Sequence, residues 1–447
     1  MLDIHLIRED KEKVKENLLR RGYNKVNLID EIYDLDLQWR EILSESNQLK
    51  KERNQLAKEI GKNKNKTDDS SKQQLTRVKT LKKLISDNDL KEKDLLESRD
   101  YKLKTLPNLI QDEVPRGNDE SDNVAVKYWG QFKIWKNDFE KLNANDKKDL
   151  KDKVIILENQ PIHHSDLVVK LNFAELERAG EIAGSRFYFE LNEFPLLDLA
   201  LGLYGVTKLK MKDFKIITPP YLVRAWVEEG ATDFGVFEDA LYKIEGEDLY
   251  LIPTSEHPIA AMNANTTLLS KDLPLKYGGY SPCFRKEASA EDKDTKGIFR
   301  VHQFNKVEQY VVSLPEESQQ IMDELTVNCE EMLQELNIPY RIVEICTGDM
   351  DHKAARQYDI EAWFPTQGRF REIISIGNVT DWQARRLKIK HTEAPTKESF
   401  YVHTIYATGL AIQRTLLAII ENHLEDNILA IPEVLTKYLP FSSIKFD

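Results

Sequence analysis

The sequence predicts an α+β protein, an antiparallel sheet flanked by helices and preceded by a long antiparallel helical hairpin of coiled-coil type. Three observations predict it. Two long stretches near the N-terminus repeat apolar residues at a 3–4 spacing and contain no proline. From about residue 120 the pattern changes to short apolar runs between long loops, with few strict βαβ alternations. No G-x-G-x-x-G or P-loop occurs, so a nucleotide bound here is not held in a glycine-rich cradle. At 447 residues the chain is too long for one ordinary core, and two or three domains are expected.

In chain order, residues 3–22 read as a short helix with Ile4, Ile7, Val14, Leu18 and Leu19 on its apolar face. A long helix follows over 27–60. Leu28, Ile32, Leu35, Trp39, Ile42, Leu49, Leu56 and Ile60 keep its spacing, interrupted at Ser46 and Arg53. A second, less regular one spans 71–106, and the polar run 61–70 between them reads as a turn. Such a hairpin projects about 50 Å at 1.5 Å per residue. Pro107 ends it. The domains expected are a helical arm over 1–110, a linker over 111–130 marked by Pro115, Gly117 and Asn118, and a main domain over 131–447. In that part strands are expected at 209–217, 249–252, 340–345, 369–375 and 399–405, and helices at 166–171, 194–204, 316–336 and 410–422.

The net charge of −12 speaks by itself against a nucleic-acid partner. Its distribution does not, because residues 50–83 carry twelve Lys/Arg against four Asp/Glu. Lys50, Lys51, Arg53, Lys58, Lys62, Lys72, Arg77 and Lys79 cluster on the distal half of the hairpin. A solvated coiled-coil face accounts for such a cluster, and so does an arm that grips a nucleic-acid backbone. The apolar run 194–206 is broken by Asp198 and Gly202, and the N-terminus has no basic, apolar leader, so no membrane association and a cytoplasmic location are expected. Cys283, Cys329 and Cys346 form no CxxC pair, and no zinc is expected. His163, His164, His257, His302 and His403 show no metal-ligand spacing and are read as structural.

Residues 284–308 carry the chemistry. They read as two strands joined by a long charged loop, with Arg285 and Glu287 ending the first and Arg300, His302, Phe304, Lys306 and Glu308 alternating along or beside the second. A strand face bearing a cation, an aromatic ring and a carboxylate is poor core material. It suits a ligand that is anionic at one end, flat at another and cationic at a third, as an aminoacyl-adenylate is.

This hairpin resembles motif 2 of the class II aminoacyl-tRNA synthetases, and its wording is closest to the seryl-tRNA synthetases. Further stretches carry the likeness over essentially the whole chain. Ile217-Thr-Pro-Pro-Tyr-Leu-Val is similar to motif 1, and Ile252-Pro-Thr-Ser-Glu-His-Pro to the family's Thr-x-Glu loop. The latter also reads as a helix N-terminus capped by Thr254 or Ser255 with Glu256 in its first turn. Arg371 to Arg386 resembles the strand ending in Asp-aromatic-Gln-Ala-Arg-Arg, and 409–422 resembles motif 3.

The resemblance implies a class II antiparallel sheet and a homodimer that joins L-serine to tRNA(Ser) through seryl-adenylate, with serylation of tRNA(Sec) as a further reaction. ATP is implied to meet Arg285, Lys286, Glu287, Arg300, Val301, Phe304, Glu372, Ser375 and Arg414. Of these, Arg285, Arg300 and Arg414 are implied to be catalytic, and Glu372 and Ser375 to hold Mg²⁺. Serine is implied to meet Thr254, Glu256, Arg285, Glu308 and Thr408. The residue types agree with these roles, since arginine offers phosphate a fixed, always-charged fork and Mg²⁺ takes oxygen ligands. Two departures stand out. Ile374-Ser-Ile-Gly-Asn replaces a common Ser-Ser-Cys-Ser-Asn, and Tyr406 replaces the usual asparagine ahead of Thr408. Two alternatives stay open: a paralogue that passes an activated amino acid to a carrier protein, and a non-catalytic RNA-binding scaffold. The basic arm argues against the first, and the presence of Arg285, Glu308, Glu372 and Arg414 against the second.

Overall fold

The computed structural model of the chain describes residues 1–62, 69–142, 144–150, 152–287 and 296–446. It divides into two compact units, Met1–Pro107 and Asn108–Asp447. The turn expected at 61–70 and the loop within 284–308 lie, over 63–68 and 288–295, outside the described residues.

The first unit is helical: Ile4–Arg20, Asn27–Lys62 and Asp69–Lys104. Ion pairs join Glu31 to Lys102, Asp36 to Arg99, Lys50 to Asp89 and Glu52 to Arg77. Numbers rise on one long helix as they fall on the other, so the pair is antiparallel. Ser46, an interruption of the apolar spacing, is wholly buried and donates to Asp89 at 3.4 Å. Asp36 is buried too, and it accepts from Arg8 at 2.7 Å, Arg99 at 2.8 Å and Arg40 at 3.0 Å. It thus ties the three helices through charge rather than through the apolar stripe, and a buried carboxylate persists only when so paired.

The second unit is built on an eight-stranded sheet. Its order is Val124–Trp129, Tyr340–Glu344, Arg356–Phe364, Arg369–Thr380, His403–Ala411, Gln303–Ser313, Leu275–Phe284 and Lys215–Ile217. Neighbours are antiparallel except the last pair. Helices Phe194–Met211, Ser318–Glu335 and Ile412–His423 bury their apolar stripes against the sheet in one large core. Along Gln303–Ser313, Val307 and Val311 join that core, which leaves Phe304, Lys306 and Glu308 on the alternate face.

Three expectations change. The strand expected over 209–217 shrinks to Lys215–Ile217, because the preceding helix runs on to Met211. Leu197, Leu201, Gly205 and Leu209 recur every four residues on one buried helical face, and Asp213 at φ +65° then turns the chain. The linker expected over 111–130 contains the edge strand Val124–Trp129, and Ile110 and Val114 pack with Val343 and Ile345. Its Pro115-Arg-Gly117 stretch is no free tether: the Pro115 carbonyl accepts from the Thr347 amide at 2.9 Å and the Gly117 amide donates to Thr347 Oγ1 at 3.2 Å. The strand expected over 399–405 divides into Phe400–Tyr401 and His403–Ala411, the latter extending through Gly409.

Candidate active site

On the sheet face carrying Phe304, Lys306, Tyr406 and Thr408 lies a cavity of about 340 Å³, within the range of small-molecule sites. Thr254, Glu256, Arg285, Glu287, Arg300, Val301, Phe304, Glu372, Ser375, Thr408 and Arg414 line it. Residues singled out in separate stretches of sequence therefore meet in one place. Two others do not reach the wall. Lys286 turns towards Tyr242, with its ammonium 5.9 Å from the ring centre. Glu308 is wholly buried behind Thr254 and Lys306.

The Thr-Ser-Glu loop opens a short helix at the cavity wall. Ser255 is the N-cap of the helix Glu256–Ala261 without a side-chain capping bond; just before it, Thr254 Oγ1 accepts from the Glu256 amide at 3.1 Å and donates to Glu308 Oε2 at 3.4 Å. The loop lies close to the hairpin because residue 279 is glycine, where a Cβ would stand 2.5 Å from Ser255 Oγ. Glu308 forms a buried ion pair with Lys306, yet its Oε1 has no partner among the described residues. Burial, partly offset by Lys306, pushes the Glu308 carboxyl up. An acceptor left open in a buried carboxylate is costly, which sets Glu308 Oε1 apart from the paired Glu256 beside it.

The opposite end is cationic. Arg414 donates to the Glu372 carbonyl at 3.0 Å and to the Phe299 carbonyl at 3.4 Å. Arg300 donates to Glu287 Oε2 at 3.1 Å, and the Arg285 guanidinium lies 5.4 Å from the Phe304 ring centre. Glu287, at φ +51°, holds a strained left-handed conformation where the first strand meets the loop. Burial, and the like charges of Arg285 and Arg300 against the pull of Glu372, push the Arg414 guanidinium down. Polyanionic phosphate relieves that repulsion. Phe299, not foreseen from sequence, is flanked by Arg371 at 3.9 Å and Arg414 at 4.9 Å.

Glu372 is half exposed, and Ser375 Oγ accepts from Gln357 at 3.2 Å. Among the described residues no three His, Cys, Asp or Glu side chains gather to hold a metal unaided. A carboxylate and a hydroxyl beside a phosphate-shaped cluster fit a hard cation whose other ligands come from the nucleotide and water. The histidines make local contacts: His257 pairs with Glu228 at 2.6 Å, His164 with Glu421 at 2.8 Å and His302 with the Arg285 carbonyl at 2.8 Å.

Gln413 also lines the cavity and reaches beneath it, donating to Glu190 Oε1 at 3.1 Å and to Asp198 Oδ2 at 2.6 Å. Burial and the Asp198 charge push the Glu190 carboxyl up to about 7. A proton held in the fold stabilises it fully below the ordinary carboxyl value of 4.5, and that stability is lost as pH rises to about 7. Glu190→Gln, neutral at every pH, is expected to stabilise the protein at pH 8 relative to pH 5, by on the order of 3 kcal/mol at most. Thermal melts of both proteins at the two pH values test this, and an equal difference at both would count against it.

Residues 1–110 match the family described as Seryl-tRNA synthetase N-terminal domain. Residues 239–423 match the tRNA synthetase class II core domain (G, H, P, S and T). A serine–tRNA ligase of Thermococcus onnurineus is 49% identical over 448 residues, covering 99% of this chain and 97% of the relative. The crystal structure of a seryl-tRNA synthetase from Pyrococcus horikoshii complexed with ATP matches with a TM-score of 0.95 and 49% identity, each chain covered fully. That of a cytoplasmic serine–tRNA ligase from Naegleria fowleri in complex with AMP matches with a TM-score of 0.85 and 33% identity, over 100% of this chain and 99% of the other.

Proposed function

The chain belongs to the seryl-tRNA synthetases, class II enzymes that use ATP to attach serine to tRNA, and from that premise we propose how its own residues carry the reaction. The open oxygen of Glu308 supports the reading: although Thr254 and Lys306 stand between it and the cavity, it is the buried acceptor left for the α-ammonium group of serine. Thr254 and Thr408 stand beside it, and Arg285 receives the serine carboxylate and the α-phosphate together. Phe304 stacks on adenine, Glu287 meets its amino group, and Arg300 and Arg414 hold the phosphates. Val301 contributes to the same nucleotide site, whereas Lys286, turned towards Tyr242, is left out of it. Glu372 and Ser375 would hold Mg²⁺, which would supply further neutralisation of the phosphate charge.

In the first step the serine carboxylate attacks the α-phosphorus, the bond to the bridging oxygen breaks, and pyrophosphate leaves. In the second, a terminal ribose hydroxyl of tRNA attacks the activated carbonyl and AMP leaves. No protein nucleophile is needed, and positioning and charge stabilisation are the protein's share. The arm supplies the tRNA contact. Lys50, Lys72 and Arg77 sit in exposed ion pairs with Asp89, Asp69 and Glu52, which hold little energy and yield to phosphate. Among the described residues Lys51, Lys58, Lys62 and Lys79 have no such partner.

A homodimer is supported by exposed Leu199, Leu203, Met211, Ile216, Leu222 and Trp226 on and around the edge strand Lys215–Ile217. Sedimentation as a monomer at micromolar concentration would exclude it. The chain works in the cytoplasm, where tRNA is charged, which fractionation of cells tests.

The direct test is ATP–pyrophosphate exchange with each standard amino acid, with and without Mg²⁺. Serine alone should support exchange, and chelation should abolish it. Glu308→Gln should raise the KM for serine roughly tenfold to a hundredfold with the KM for ATP unchanged. An unchanged serine KM would remove Glu308 from the amino-acid site.

A further inference from the structure

Lys353 is a buried cation in the cavity wall that no step above uses. It is 5% exposed, and its ammonium donates to both Glu256 oxygens, each at 2.7 Å. Glu256 Oε1 also accepts from Gln383 Nε2 at 2.8 Å. The acceptors of Glu256 are thus occupied from within the protein, unlike the open oxygen of Glu308. An ammonium has three donors; Glu256 engages two of them, and the nearest further acceptor, Asp351 Oδ2, stands 3.8 Å away, beyond hydrogen-bond reach.

The same ammonium lies 4.3 Å from the ring centre of Tyr406, which is 5% exposed and also lines the cavity. Tyr406 is paired across the sheet with Gly377, and its ring covers that glycine. A Cβ at 377 would stand 2.5 Å from Tyr406 Cε1 and 2.7 Å from its hydroxyl. Gly377 and Tyr406, both departures from the family pattern, are therefore one feature in which the absent side chain on one strand makes room for the large one on the next.

We propose that Lys353 and Tyr406 determine amino-acid specificity: Lys353 donates its third N–H to the side-chain hydroxyl of serine, and the Tyr406 ring, seated on Gly377, closes the pocket behind it. This rests on serine as the amino acid activated. Alanine leaves the Lys353 donor buried and unpaired, a strong basis for rejection. Threonine is refused because its extra methyl meets a ring that cannot retreat through the Gly377 backbone.

The test is pyrophosphate exchange with serine, alanine and threonine. Lys353→Met combined with Glu256→Gln leaves no lone buried charge. It should raise the serine KM on the order of tenfold or more and narrow the serine-to-alanine preference, with the ATP KM unchanged. Gly377→Ser alone should lose serine activation, and adding Tyr406→Asn should recover it by on the order of tenfold. Tyr406→Asn alone should raise threonine activation relative to serine. If the amino-acid ratios stay as in the native chain while both KM values rise together, Lys353 only braces the fold and the proposal fails. If Gly377→Ser is no better with Tyr406→Asn than without it, the paired wall fails. Absence of serine exchange in the unaltered protein would instead overturn the serine assignment, so the two failures are distinct.

Discussion

Arg414→Ala is expected to slow serine-dependent pyrophosphate exchange by about 10²–10³-fold while leaving tRNA affinity unchanged. Arg414 is held in place before any nucleotide arrives, by the carbonyls of Phe299 and Glu372 and by the Phe299 ring. In the proposed reaction its charge is preorganised where negative charge grows on departing pyrophosphate, so that no reorganisation is needed as the bond breaks. Burial and the repulsion of Arg285 and Arg300 bear on that charge in the protein alone, so its removal should cost the fold little. The melting temperature is expected to stay near that of the native chain, whereas the rise on adding ATP should shrink, because a ligand stabilises only through its affinity. Exchange at a near-native rate would sink the assignment. Loss of exchange together with a large fall in melting temperature would make Arg414 a structural residue.

What was legible in the sequence is what local pattern encodes. The 3–4 spacing of apolar residues marked the long helices of the arm, and the alternation from Phe304 to Glu308 placed Phe304, Lys306 and Glu308 on one strand face. What was not legible depends on distant residues. The strand Arg356–Phe364 lies inside the sheet but carries Asp359 and Glu361, so its charges hid it from a search for apolar runs. Lys353 stands in an unremarkable Asp-His-Lys-Ala run, and only its burial against Glu256 sets it apart from a surface lysine. Tyr406 read as an intrusion because its counterpart, Gly377, lies on another strand. Leu209 misled in the opposite way, since an apolar residue every fourth position is helical only when the preceding turns are counted with it.

Deleting the arm at the boundary between the two units, to leave residues 108–447, is expected to abolish tRNA charging and to keep serine activation within about twofold of the native rate. The cavity and the large core lie wholly within the second unit, so adenylation has what it needs there. The basic residues proposed to meet phosphates lie in the first, and losing several such contacts would lower RNA affinity by on the order of 10³ or more at moderate salt. The cut must not fall three residues later. Asn108 Nδ2 donates to the carbonyls of Lys353 at 2.9 Å and Val379 at 2.7 Å, and Ile110 is buried with Val343 and Ile345. Removing residues 108–110 would loosen the segment that carries Lys353 and confuse loss of RNA contact with damage to the amino-acid pocket. Charging and exchange should be measured on both truncations beside the intact protein, with melting curves for each. Retention of charging by residues 108–447 would remove the arm from tRNA recognition. Loss of exchange by a well-folded 108–447 protein would show that activation, too, draws on the arm.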